Sequence, residues 1–229
     1  MKNSNLKKIS VTAMLSAIAF LLTFVFKFKV MFLTFDMKDA IISIVSLIFG
    51  PIYGICSAGL VAFLEFISIS DTGVYGLIMN FLASGTFALT CGLIYKYKRS
   101  FSGAILSVVM SVVSVTAVML LANIFITPYY MGVETSEVEA LLPGVLLPFN
   151  LCKTVLNSAA LLIIYKPITT ALKKTGFLQR EQNSSGKFGI KSILLIVVSA
   201  IKLICSGTKI FIPWLAIMFF LPLSRLTIP

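Results

Sequence analysis

The chain has 229 residues, of which 59% are hydrophobic and 12% charged, where a soluble domain carries about 25% charged residues; this is the composition of an integral membrane protein. The complete absence of histidine excludes histidine-ligated metals, Ser-His-Asp catalysis and histidine proton relays. The formal net charge of +11 sits in short loops and tails, where it reports membrane topology rather than nucleic-acid binding.

The first apolar run, Lys8 to Phe26, has no cleavage-site pattern after it and is predicted as a retained helix. Within it "AMLSA" places Ala13 and Ala17 four residues apart, a spacing that lets another helix approach closely, either inside the bundle or from a partner. The second run, Met37 to Phe49, is too short to cross about 30 Å of hydrocarbon. The preceding segment "KFKVMFLTFDMKD" is therefore expected to dip toward the bilayer, against protein or a cavity. "FGPIYG", Phe49 to Gly54, reads as a turn leading into the third run, Pro51 to Ile69. The fourth run is Val74 to Tyr95, the fifth Phe101 to Ile126 and the sixth Leu146 to Leu172. The predicted fold is thus an all-α six-transmembrane-helix bundle over residues 1–174, followed by a polar linker at 175–190 and a hydrophobic extension at 191–229. Lys202, Pro213 and Pro222 interrupt that extension, and its role stays open. Cys56, Cys91, Cys152 and Cys205 each stand alone in apolar surroundings and imply no disulfide framework.

Charge fixes the orientation. With the N-terminus inside, cytoplasmic segments hold Lys2, Lys7, Lys8, Lys96, Lys98, Arg99, Lys173, Lys174 and Arg180. The outer loops hold Asp36, Asp39, Asp71, Glu134, Glu137 and Glu139, with Lys27, Lys29 and Lys38 as their basic residues. The positive-inside rule favours this arrangement, with both ends of the bundle cytoplasmic in a multi-pass cell-membrane protein.

The intramembrane polar residues then fall toward one side. Glu65 lies near the outer end of the third helix, Asn80 near the outer start of the fourth and Asn123 near the outer end of the fifth. Asn150, Lys153 and Asn157 share one face of the sixth as it enters from outside. Such residues cost energy in hydrocarbon and mark a functional site by default. Snorkelling of Lys153, amides acting as inter-helix glue, and a Glu65–Lys153 ion pair are the bland readings. Together these groups describe the polar lining of an outward-facing pocket with apolar walls. Carboxamides match the donor–acceptor edge of an imide or pyrimidine-like ring, a carboxylate accepts from hydroxyls, and an ammonium donates to carbonyl oxygens. The solute class that fits is neutral, partly aromatic and partly polyhydroxylated.

The stretches "FDMKDAIISIVSLIFGPIYG", "FLEFISISDTGVYGLIMNFLAS", "AVMLLANIFITPYYMG" and "LLPFNLCKTVLNSAALLIIYKP" together resemble the riboflavin-specific S component (RibU family) of energy-coupling factor (ECF) vitamin importers, over roughly residues 7–178. The resemblance implies a substrate-binding membrane subunit that captures riboflavin or a related flavin from outside and works with a transmembrane T component and two cytoplasmic ATPases. It implies contacts from Asn123, Asn150 and Lys153 to the polar edge of the flavin ring, and from Glu65 to the ribityl hydroxyls. Asn80 and Asn157 join the site by depth and face. The segment from Lys27 to Asp39 becomes a gate with Asp36 and Asp39 at its base, and Ala13 and Ala17 become the docking surface for the T component. The flavin is cargo; no cofactor or metal is expected, and no enzymatic activity. The alternative is a stand-alone secondary transporter or channel for another solute, which needs inverted repeats or a polar path reaching both sides.

Overall fold

The computed structural model describes residues 2–30 and 32–174; the predicted linker and hydrophobic extension lie outside the described residues. Helix α1 (Lys2–Phe26) turns Val11, Leu15 and Ala19, four residues apart, into the core, while Leu21, Phe24 and Val25 remain exposed. An apolar outer face is what a helix surrounded by acyl chains requires. After it comes an antiparallel hairpin, β1 (Phe28–Val30) and β2 (Leu33–Phe35), in register Phe28↔Phe35, Lys29↔Thr34 and Val30↔Leu33. The segment expected to dip toward the bilayer thus folds as paired strands, which satisfy the backbone groups between them. Leu33 and Phe35 are buried in a small apolar cluster with Val138, Leu146 and Phe149.

Helix α2 (Lys38–Phe49) is 12 residues long and ten of them are buried, so it reaches about 18 Å through the centre of the bundle. It touches α1 and three later helices, α3 (Pro51–Ser68), α4 (Gly73–Tyr97) and α7 (Leu147–Lys174). The predicted turn is sharp: Gly50 has φ +103°, a conformation that L side chains rarely adopt, and Pro51 starts α3. The α2–α3 corner then packs very closely on α4. A Cβ at Gly92 would stand 2.9 Å from Pro51 Cα, and Ser46 Oγ donates to the Ala88 carbonyl at 2.5 Å.

Helix α5 (Phe101–Met131) starts on Ser100, whose hydroxyl accepts from the Gly103 N–H at 3.2 Å, and ends on Gly132 at φ +67°. It runs through Pro128 and is longer than predicted, because a proline near a helix end displaces few backbone bonds. Helix α6 (Thr135–Leu141) was not predicted. A π-helical turn (Leu142–Leu146) joins it to α7, with the Leu147 N–H reaching back to the Leu142 carbonyl; Pro143 and Pro148 lack the N–H groups that regular bonding there would use.

Among the described residues, five stretches are long and apolar enough to cross a membrane: α1, α3, α4, α5 and the continuous run from α6 through α7. The shorter α2 completes the six-helix bundle. At one end Lys29 Nζ meets Asp71 at 2.5 Å and the rings of Tyr75 and Tyr130 lie 6.3 Å apart. At the other, the hydroxyls of Tyr95 and Tyr165 are 2.5 Å apart, beside Lys96, Lys98 and Lys166. The acidic end is the outer one and the basic end cytoplasmic.

Candidate ligand-binding site

A cavity of about 220 Å³ opens at the acidic end, walled by the hairpin and by α1, α3, α4, α5 and α7. Phe32, Phe66, Met79, Val115, Met119 and Phe149 supply apolar surface. Of the residues singled out in the sequence, Asn123, Asn150, Lys153, Glu65, Asn80, Asp36 and Asp39 all line it. Asn157 does not.

On α7, Asn150 is 4% exposed and its Nδ2 donates to the Leu146 carbonyl at 2.8 Å, which leaves the amide oxygen with no protein partner among the described residues. On α5, Asn123 Nδ2 donates to the Met119 carbonyl at 2.6 Å and its Oδ1 accepts from Thr127 at 2.9 Å. Both amides are held by the turn beneath them, so their remaining capacity faces the cavity in fixed orientation. Lys153 does not snorkel. Its Nζ donates to Asp36 Oδ2 at 2.9 Å and to the Thr34 carbonyl at 3.2 Å, tying α7 to the second strand of the hairpin and to its root.

The Glu65–Lys153 ion pair, one of the bland readings of these residues, is not formed; Glu65 pairs with another lysine. Glu65 Oε2 accepts from Lys38 Nζ at 2.7 Å and from Asn80 Nδ2 at 2.7 Å. Lys38, read in the sequence as a loop residue, is 2% exposed, and its Nζ also lies 3.4 Å from Asp36 Oδ2. Asp36 thus bridges two ammonium groups. Burial works to raise its carboxyl, but Lys153 and Lys38 beside it outweigh that and hold it at about 2. Asp39 accepts from the Ser84 hydroxyl. Asp36 Oδ1 and Glu65 Oε1 are buried with no partner among the described residues, which is unusual enough to require an explanation.

Asn157 is a strut. Its Nδ2 donates to the Asp36 carbonyl at 2.9 Å and to the Lys153 carbonyl at 3.1 Å, and its Oδ1 accepts from the Ala40 N–H at 3.1 Å. It therefore satisfies an orphan N–H in the first turn of α2 and fixes the root of the hairpin. Asp36 and Asp39 do lie at that root, both buried. Ala13 and Ala17, near the opposite end, are exposed on the outer face of α1.

At the outer rim Lys27 Nζ donates to the Ile69 carbonyl at 3.1 Å and Lys29 pairs with Asp71, so the start of the hairpin is tied to the α3–α4 turn. The hydrogen bond and charge from Lys29 hold the exposed Asp71 carboxyl below its ordinary range. Toward the basic end the buried polar residues are small hydroxyls such as Ser16 and Ser57, bonded to each other at 2.7 Å, and Ser111, which donates to the Ser107 carbonyl at 2.8 Å. They are uncharged, unlike the cluster around the cavity.

The family described as ECF transporter, substrate-specific component, matches residues 7–165. The chain is 31% identical over 179 residues to the riboflavin transporter RibU of Staphylococcus aureus (strain TCH60), covering 73% of this chain and 93% of that protein. It is 30% identical over 171 residues to the riboflavin transporter FmnP of Bacillus subtilis (strain 168), covering 69% and 90%. Among solved structures, one reported for the structure and mechanism of the S component of a bacterial ECF transporter superposes with a TM-score of 0.63 at 32% identity, covering 76% of this chain and 99% of that one.

Proposed function

Because the chain belongs to the substrate-specific components of ECF transporters, and is as such a multi-pass, substrate-binding membrane subunit, we propose that its substrate is riboflavin. The observation that carries the reading is the convergence of Asn123, Asn150 and Lys153 on one apolar cavity at the acidic end. Two oriented carboxamides and an ammonium supply the donors and acceptors that the carbonyl and imide edge of an isoalloxazine requires, and the apolar walls suit its flat ring. Glu65 and Asn80 face the same space and serve the ribityl hydroxyls. The hairpin is the cover, rooted at Asp36 and Asp39. The names of the relatives in S. aureus and B. subtilis support the same ligand.

The partners in this reading are a transmembrane T component and two cytoplasmic ATPases. The chain has no GxxxxGK[ST] phosphate loop, so ATP hydrolysis resides in other subunits. Ala13 and Ala17 offer a shallow outer face near the cytoplasmic end, where a partner helix can come close. Riboflavin titrated into the purified protein and followed by absorbance is expected to show saturable binding at sub-micromolar concentration. No saturable binding there would overturn the reading.

A further inference from the structure

The buried charge cluster beneath the cavity contains a residue with no role in the binding described so far. Lys38 stands in the first turn of α2 and is 2% exposed. An ammonium this deeply buried persists only when paired. Its nearest partner is Glu65 Oε2, at 2.7 Å, and Asn80 donates to that same oxygen at 2.7 Å. Oε2 is thereby saturated by two donors from two helices. The other oxygen, Oε1, is buried with no donor among the described residues, although the residue lines the cavity. Lys153, a half-buried second cation, is engaged elsewhere, on Asp36 and the Thr34 carbonyl.

We infer that Lys38 is a positioning residue that determines ligand selectivity: by pairing with Oε2 it holds Glu65 as an oriented carboxylate whose Oε1 is reserved for a hydroxyl group of the ligand. The inference rests on the riboflavin reading and deepens it. A protonated Glu65 would leave Lys38 without its strongest partner, so the 2.7 Å pair favours the acceptor-only carboxylate against the cost of its burial. An acceptor-only carboxylate on a residue that lines the cavity rewards a ligand O–H and gives nothing to a hydrocarbon group. Lys38 therefore acts on the hydroxylated side chain of the flavin and not on its ring.

The test compares riboflavin with lumiflavin, which carries the same ring with a methyl group in place of the ribityl chain. Binding of each is titrated by flavin fluorescence quenching to the wild type, Lys38→Met, Lys38→Arg and the double variant Lys38→Met/Glu65→Gln, which removes both charges of the pair. The wild type is expected to prefer riboflavin. Lys38→Met and the double variant are expected to lose about 10- to 100-fold of that preference, with lumiflavin affinity moving less than about threefold, within the range of a distant non-contacting group. Lys38→Arg is expected to keep most of the preference. If riboflavin and lumiflavin weaken equally in the double variant, or their ratio stays at its wild-type value, the selectivity role is overturned while the riboflavin reading stands. A wild type that binds neither flavin overturns both.

Discussion

Asn150 and Asn157 lie two helical turns apart on one stripe of α7, yet they do different work. Asn150 keeps an amide oxygen facing the cavity, whereas all the bonds of Asn157 go to backbone groups of Asp36, Ala40 and Lys153. Asn150→Leu and Lys153→Met are expected to weaken riboflavin binding by about 1–3 kcal/mol each, because each leaves part of the ligand's polar edge unsatisfied. Titration of both variants checks this, and unchanged affinity in both would remove the ring-edge assignment. Asn157→Ala is expected to lower stability by about 1–3 kcal/mol, since it strands the Ala40 N–H and the Asp36 carbonyl; thermal unfolding in detergent reads it directly. The residue stripe was legible in the sequence because spacings of three and four are local. The division of labour within it was not, since two of the three partners of Asn157 lie 117 and 121 residues away. Lys38 was misplaced for the same reason: a charge at a loop boundary looks solvated until the helix that supplies Glu65 is folded against it.

Among the elements, the long apolar runs predicted α1, α3, α4 and α7 closely, because a membrane span has to be long and uninterrupted. The hairpin was expected only as a dipping segment, although Phe28, Val30, Leu33 and Phe35 alternate on either side of a short turn and carry the period of a strand. Helix α6 is seven residues of mostly polar sequence, too short for periodicity to speak. The α2–α3 corner was marked by glycine and proline, and its structural demand is testable. Gly50→Ala is expected to destabilise the protein by about 1–2 kcal/mol, because φ +103° is strained for any residue with a Cβ; the midpoint of thermal unfolding checks it. The rim pair Lys29–Asp71, with side chains 57% and 60% exposed, belongs to the opposite class. Lys29→Met is expected to change stability little, and any effect on flavin release should fade in high salt.

At the scale of the whole molecule the two ends are chemically unlike, and each feature of the function sits where its chemistry belongs. Ala13→Trp places bulk on the exposed cytoplasmic-end face of α1. It is expected to leave flavin titration unchanged and to abolish ATP-driven uptake by the assembled transporter; lost flavin binding would instead show that Ala13 packs the bundle. The central position of α2 has a further consequence. Ten of its twelve residues are buried, and its inner end is locked to α4 through Ser46, Ala88 and Gly92. That plug lies directly between the cavity and the basic end. A solute held under the hairpin is therefore separated from the basic end by packed protein, and delivering it inward requires either that this packing open or that the whole subunit move.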